Sequence, residues 1–152
     1  MIEQRLQELG LTLPEAAAPL YNYVPVMIHN QVAYISGQVP RVEGQIPYTG
    51  KVGDTVTIDQ ARELAEICVL KGLSCLKAEI GSLDKVEKVL KLTGFVQSAP
   101  GFSNQPNVID AASELLVKIF GDKGRHARSA VGVAELPSNT PVEIDFIFAI
   151  NE

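Results

Sequence analysis

Thr57 to Gly81, TIDQARELAEICVLKGLSCLKAEIG, is the stretch from which the fold is read. Thr57 and Gln60 stand three apart as a capping box, apolar positions recur at helical spacing to Ile80, and Gly81 ends the run as a helix-terminating residue. Ala61, Ala65, Cys68, Gly72 and Cys75 fall on one stripe. Small residues in a stripe let a helix lie close on a sheet. Cys68 and Cys75 are the only cysteines. Two helical turns separate them, roughly 10 Å at the rise of an α-helix, too far to bridge. Both read as small core thiols of an intracellular protein.

Outward from this helix, extended runs occupy Tyr21–Ile28 and Gln31–Ser36, with a turn at His29-Asn30, so they form a hairpin. Pro25 places the first run at an edge or a bulge. Ile2 to Leu9 is a short amphipathic helix closed by Gly10, and Arg41 to Asp54 is a long loop around a short strand near Gln45–Tyr48. On the far side come a strand from about Val86 to Val96, a loop from Ser98 to Asn107, and a second helix from about Val108 to Phe120. Two last strands, one carrying Arg128 and one from Val142 to Ile150, meet through the turn Pro137-Ser138-Asn139-Thr140. The order β, β, (β), α, β, α, β, β predicts an α+β domain: a mixed six-stranded sheet with two helices packed on one face. The last strand is apolar on both sides, with Val142, Ile144, Phe146, Phe148 and Ile150 on one and Ile147 and Ala149 on the other. In a two-layer domain the second side needs another subunit, so an oligomer is expected.

The chain has 152 residues, enough for one domain, 1–152, and 46% of them are hydrophobic, which argues for a packed core. A net charge of −5 argues against nucleic acid as a partner, since phosphate binders carry a basic face. Charges in the first five residues argue against a secretory signal, and no apolar run is long enough for a membrane helix, so a cytoplasmic location without a membrane partner is expected. His29 and His126 are the only histidines and no Cys/His cluster has ligand spacing, so no metal is expected.

The segment most telling for function is Gly124 to Pro137, GRHARSAVGVAELP. Arg128 opens a strand whose following even positions, Ala130, Gly132, Ala134 and Leu136, begin small, leaving room above them. Its guanidinium fork can meet a planar carboxylate there with two parallel hydrogen bonds, or it can make a surface ion pair at a strand start. The segment alone leaves both open.

With Ser36-Gly37-Gln38-Val39-Pro40, Val89 to Val96 (VLKLTGFV), Ala127-Arg128-Ser129-Ala130-Val131, Leu136-Pro137 and Val142-Glu143-Ile144 in this order and spacing, the chain resembles the reactive intermediate deaminase family, RidA or YjgF, also called endoribonuclease L-PSP. The resemblance runs from about Tyr21 to Ile150. It implies a chorismate mutase-like fold, a homotrimer with pockets between subunits, and hydrolysis of 2-enamine or 2-imine acids to 2-keto acids and ammonia without a cofactor. The family's carboxylate-binding arginine falls on Arg128, its glutamate on Glu143, its tyrosine on Tyr23 and its serine on Ser36. Implied roles are a carboxylate clamp for Arg128, orientation of the nitrogen by backbone groups near Gly37 and Ala130, and activation of water by Glu143.

The chain departs from the family in places. Ala130 stands where many members have cysteine. The second-helix asparagine of many members falls near Asp110, although Asn107 can serve instead. Residues 1–14 form an N-terminal extension, and the whole suggests a divergent subgroup. Each residue also has a plainer reading: Glu143 as a solvated strand end, Tyr23 as a strand aromatic, Ser36-Gly37 as a bulge, His126 as a solvated loop residue, Phe95 and Phe120 as core. A hairpin between the last two strands would pair Glu143 near Ala134, roughly 20 Å along the strand from Arg128, so either that hairpin is bent or slipped or the two residues share a pocket across subunits, the arrangement favoured by the expected oligomer. Rival readings are a non-catalytic trimer binding 2-keto acids or other small carboxylates and, ranked last for want of basic charge, RNA cleavage.

Overall fold

The computed structural model describes residues 1–151. Three helices and five strands alternate along the chain: α1 (Ile2–Glu8), β1 (Val26–His29), β2 (Val32–Gln38), α2 (Ile58–Ile80), β3 (Val86–Gln97), α3 (Gln105–Phe120), β4 (Ala127–Val133) and β5 (Val142–Ile150). The capping box is in place, with Gln60 N donating to Thr57 Oγ1 at 3.1 Å and Thr57 N donating to Gln60 Oε1 at 3.0 Å. α3 begins at Gln105, earlier than expected, because Pro106 fits a first helical turn that needs no amide there. β1 starts directly after Pro25 and lies at the sheet edge. Its turn to β2 is centred on Asn30-Gln31, one residue beyond the expected pair, with φ of 51° and 62°.

The sheet has five strands in the order β1-β2-β5-β3-β4, not six. The expected strand near Gln45–Tyr48 is absent. Instead Glu43-Gly44 turns the chain back on itself, Val42 and Gln45 exchange two hydrogen bonds, and no ladder extends past them. β4 and β5 do not form a hairpin either. β3 lies between them, parallel to β4 and antiparallel to β5. The strand–helix–strand order β3-α3-β4 is the unit that demands a parallel neighbour, and β5 then fills the slot between β2 and β3. Gln97, 1% exposed, pins the crossover. It donates to Gly50 O and Asn139 Oδ1 and accepts from Leu136 N, leaving no buried polar atom on it unmet.

Both long helices cover one side of the sheet, α2 over β2 and β5, α3 over β3 and β4. Their approach is close because glycines stand at the contacts. A Cβ on Gly72 would lie 2.7 Å from the Phe146 ring, and one on Gly94 would lie 2.5 Å from Ile109. Cys68 and Cys75 are free and buried in this layer, and Cys68 Sγ donates to Gln38 O. Phe120 belongs to the core as expected, while Phe95 alternates to the other side. That side has no second layer among the described residues. Met27 is 57%, Tyr34 48% and Val131 42% exposed on it, all large apolar groups.

Gly94→Ala forces its methyl group into Ile109, so it should lower unfolding stability by about 1–3 kcal/mol, the usual cost of overpacking. Urea titration would check this, as a lower midpoint with an unchanged slope.

Candidate active site

The register of the sheet decides what can meet what. Arg128 is level with Leu92 of β3, and both face the helices, whereas Glu143 is level with Phe95 on the open side. One intervening strand, β3, and the thickness of the sheet therefore part Arg128 from Glu143 within one protomer. The sequence-based separation stands, but its cause is the inserted β3, not distance along a hairpin.

Glu143 enters an open cleft of about 740 Å³ between the end of β2, α2, the segment 15–23 and Pro137-Ser138. The pairing of β2 with β5 is interrupted between Ile35 and Gln38, so Ser36 and Gly37 form a bulge beside Glu143. A Cβ on Gly37 would stand 2.3 Å from Glu143 Oε2, so a larger residue there displaces that carboxylate. Burial first, and the charge of Asp145 second, push the Glu143 carboxyl above its ordinary value of 4.5. Such a carboxyl holds and returns protons nearer to neutral pH than a solvated one. Tyr23 lines the same cleft, half exposed. Ser36 does too, but its hydroxyl donates to Val24 O at 2.7 Å and thereby fixes the strand entry.

The cleft also holds two cations that the sequence reading did not single out, Arg41 and Lys71. Each had a signal: Arg41 follows Ser36–Pro40 directly, and Lys71 is the lone charge in the apolar run from Ile67 to Leu76.

Arg128 sits on the outer strand of the sheet, three-quarters buried. Its Nη1 donates to Asp110 Oδ1 at 3.1 Å and to Ser113 Oγ at 3.2 Å, both on α3. Ser113 Oγ is 2.9 Å from His126 Nε2, and His126 Nδ1 meets Gly124 O. A carbonyl only accepts, so Nδ1 carries the proton in the neutral ring and Nε2 accepts from Ser113. His126 is thus an anchor of this network, not a solvated loop residue. Asp110, rather than Asn107, is the α3 residue at Arg128. Asn107 faces elsewhere and accepts from Arg62 through its backbone and side-chain oxygens. Ala130 lies beside Gly94, half buried against the core. Among the described residues no three His, Cys, Asp or Glu side chains converge as metal ligands would, and no helix is long and apolar enough to cross a membrane.

The raised Glu143 carboxyl gives a signed expectation. Its folded pKa lies above its unfolded one, so its contribution to stability is present below 4.5 and is lost as pH rises through the folded value. Wild type should lose stability relative to Glu143→Gln as pH rises above 4.5, read from paired urea titrations at each pH.

The comparisons agree with this architecture. A family model described as "YjgF/chorismate mutase-like, putative endoribonuclease" matches residues 3–150. A solved structure of a protein of unknown function from Agrobacterium tumefaciens superposes with a TM-score of 0.91 at 48% identity, covering 99% of this chain and 92% of that one. Protein TCP17 of Trypanosoma cruzi is 40% identical over 99% of this chain and 94% of its own length. A 2-iminobutanoate/2-iminopropanoate deaminase of Dermatophagoides farinae is 28% identical over 92% of this chain and 94% of its own length. By sequence and by fold, the chain belongs to the YjgF/chorismate mutase-like family.

Proposed function

We propose that the protein hydrolyses 2-imino and 2-enamine acids to 2-keto acids and ammonia, in clefts completed where copies of the chain meet. The observation that carries this reading is the placement of Arg128 and Glu143 on opposite sides of one sheet, each in a site that lacks the other. The open side with exposed Met27, Tyr34 and Val131 offers the surface on which copies would join. A homotrimer supports three such clefts, each with Glu143 from one protomer and Arg128 from its neighbour. The resemblance to an iminobutanoate/iminopropanoate deaminase supports the chemistry.

In such a cleft Arg128 grips the substrate carboxylate and fixes the imine carbon. Asp110 and Ser113 hold its guanidinium on one side, leaving its remaining donors for the ligand. Glu143 takes a proton from water as the oxygen attacks carbon. The C=N π pair moves to nitrogen, which receives that proton to give a carbinolamine; the hydroxyl proton then passes through Glu143 to nitrogen as the C=O bond forms and the C–N bond breaks, releasing ammonia and the 2-keto acid. The product carries the water oxygen, and no electron is gained or lost. Gly37 keeps the carboxylate of Glu143 in reach of that water by leaving it room. The family description also names an endoribonuclease. A net charge of −5 gives no electrostatic hold on an RNA backbone, so imine hydrolysis is the better-supported reading.

Arg128→Ala should lower kcat/KM for 2-iminopropanoate by about 100-fold or more, the scale on which one preorganised donor acts, with assembly size by light scattering unchanged. An undiminished rate would remove Arg128 from the reaction. Gly37→Ala should lower kcat through displacement of Glu143, with little change in melting temperature.

A further inference from the structure

The cleft around Glu143 contains more charge than the proposed chemistry uses. Arg41 and Lys71 stand at its wall, half buried, and neither forms an ion pair among the described residues. Neutral partners hold them instead. Arg41 Nη2 donates to Ser138 Oγ, and Lys71 Nζ donates to Arg41 O at 3.3 Å. Three elements thus tether two cations to one corner without neutralising them. Glu143 is not their counter-ion, since neither cation forms an ion pair with it among the described residues, and each is held by a neutral partner. Glu15, on the same rim, is exposed and makes no ion pair among the described residues. Half-buried cations fixed by neutral partners keep their attraction for an incoming anion. The cleft, at about 740 Å³, is far roomier than a three- or four-carbon acid needs.

Resting on the deaminase reading above, we propose that the preferred substrates are 2-imino acids with a second carboxylate at the far end of the molecule. Arg41 and Lys71 grip the distal carboxylate, while Arg128 of a neighbouring copy grips the one beside the imine. A carboxylate suits the site better than a phosphate. It carries one charge where a phosphate carries up to two, and Glu15 and Glu143 line the same cleft. The pair is a specificity-determining subsite: Arg41 supplies a flat fork and Lys71 a movable point charge.

Calorimetric titration of the full-length protein with the product-like probes 2-oxoglutarate and 2-oxobutanoate tests this. 2-Oxoglutarate should bind about tenfold or more tighter, as expected for one added charge-assisted contact. In Arg41→Gln/Lys71→Gln that ratio should fall to about one, and in Lys71→Arg, which keeps the charge, it should persist. A ratio near one in wild type, or a preference that survives the double substitution, overturns the proposal. Hydrolysis of 2-iminopropanoate, measured alongside, separates the two readings. If it is catalysed while the ratio is near one, only the distal subsite falls. If neither probe binds and no imine is hydrolysed, the deaminase reading falls with it.

Discussion

Two glycine contacts press the helix layer onto the sheet, and the placement of both half-sites follows from them. Gly72 admits the Phe146 ring under α2, and Gly94 admits Ile109 under α3. Because α3 lies so near the sheet, Asp110 and Ser113 reach the guanidinium of Arg128 on the outer strand. Because α2 lies close over β2 and β5, Lys71 comes to the wall of the cleft that Glu143 enters. Most of the large apolar residues of β5 lie on this side, with Phe146 and Phe148 almost wholly buried. The opposite side keeps Met27, Tyr34 and Val131 bare.

Strand order then sets which side chains a single chain can bring together. β3 runs between the strand of Arg128 and the strand of Glu143, and the two residues alternate to different sides. The bulge at Ser36-Gly37 matters as much. It interrupts the ladder where a carboxylate needs space, and the missing Cβ of Gly37 supplies that space. Glu143 is consequently half shielded from water and not paired with a cation, the condition that lifts a carboxyl above its ordinary value.

Much of this was legible in the residues because local chemistry dictates it. The capping box at Thr57 and Gln60, the stop at Gly81, the edge position forced by Pro25 and the small-residue stripe of α2 each depend on neighbours in sequence. What was misread depends on neighbours in space. Pro137 to Thr140 has the composition of a hairpin turn, yet it carries the chain across β3, held there by Gln97 from a distant strand. The segment Gln45–Tyr48 has strand-like residues but no free ladder to join. His126 and Asp110 gained their roles from the same source: eighteen residues separate Asp110 from Arg128, and only the packing of α3 brings them together. Arg41 and Lys71, thirty apart, meet for a similar reason.

The division of Arg128 and Glu143 between the two sides of a sheet has a genetic corollary for the proposed trimer. A defect in either residue would be recessive within a mixed assembly. Where a protomer lacking only the arginine borders one lacking only the glutamate, one orientation of that border brings together the two intact halves. Two alleles, each inert by itself, would then complement one another inside the same particle.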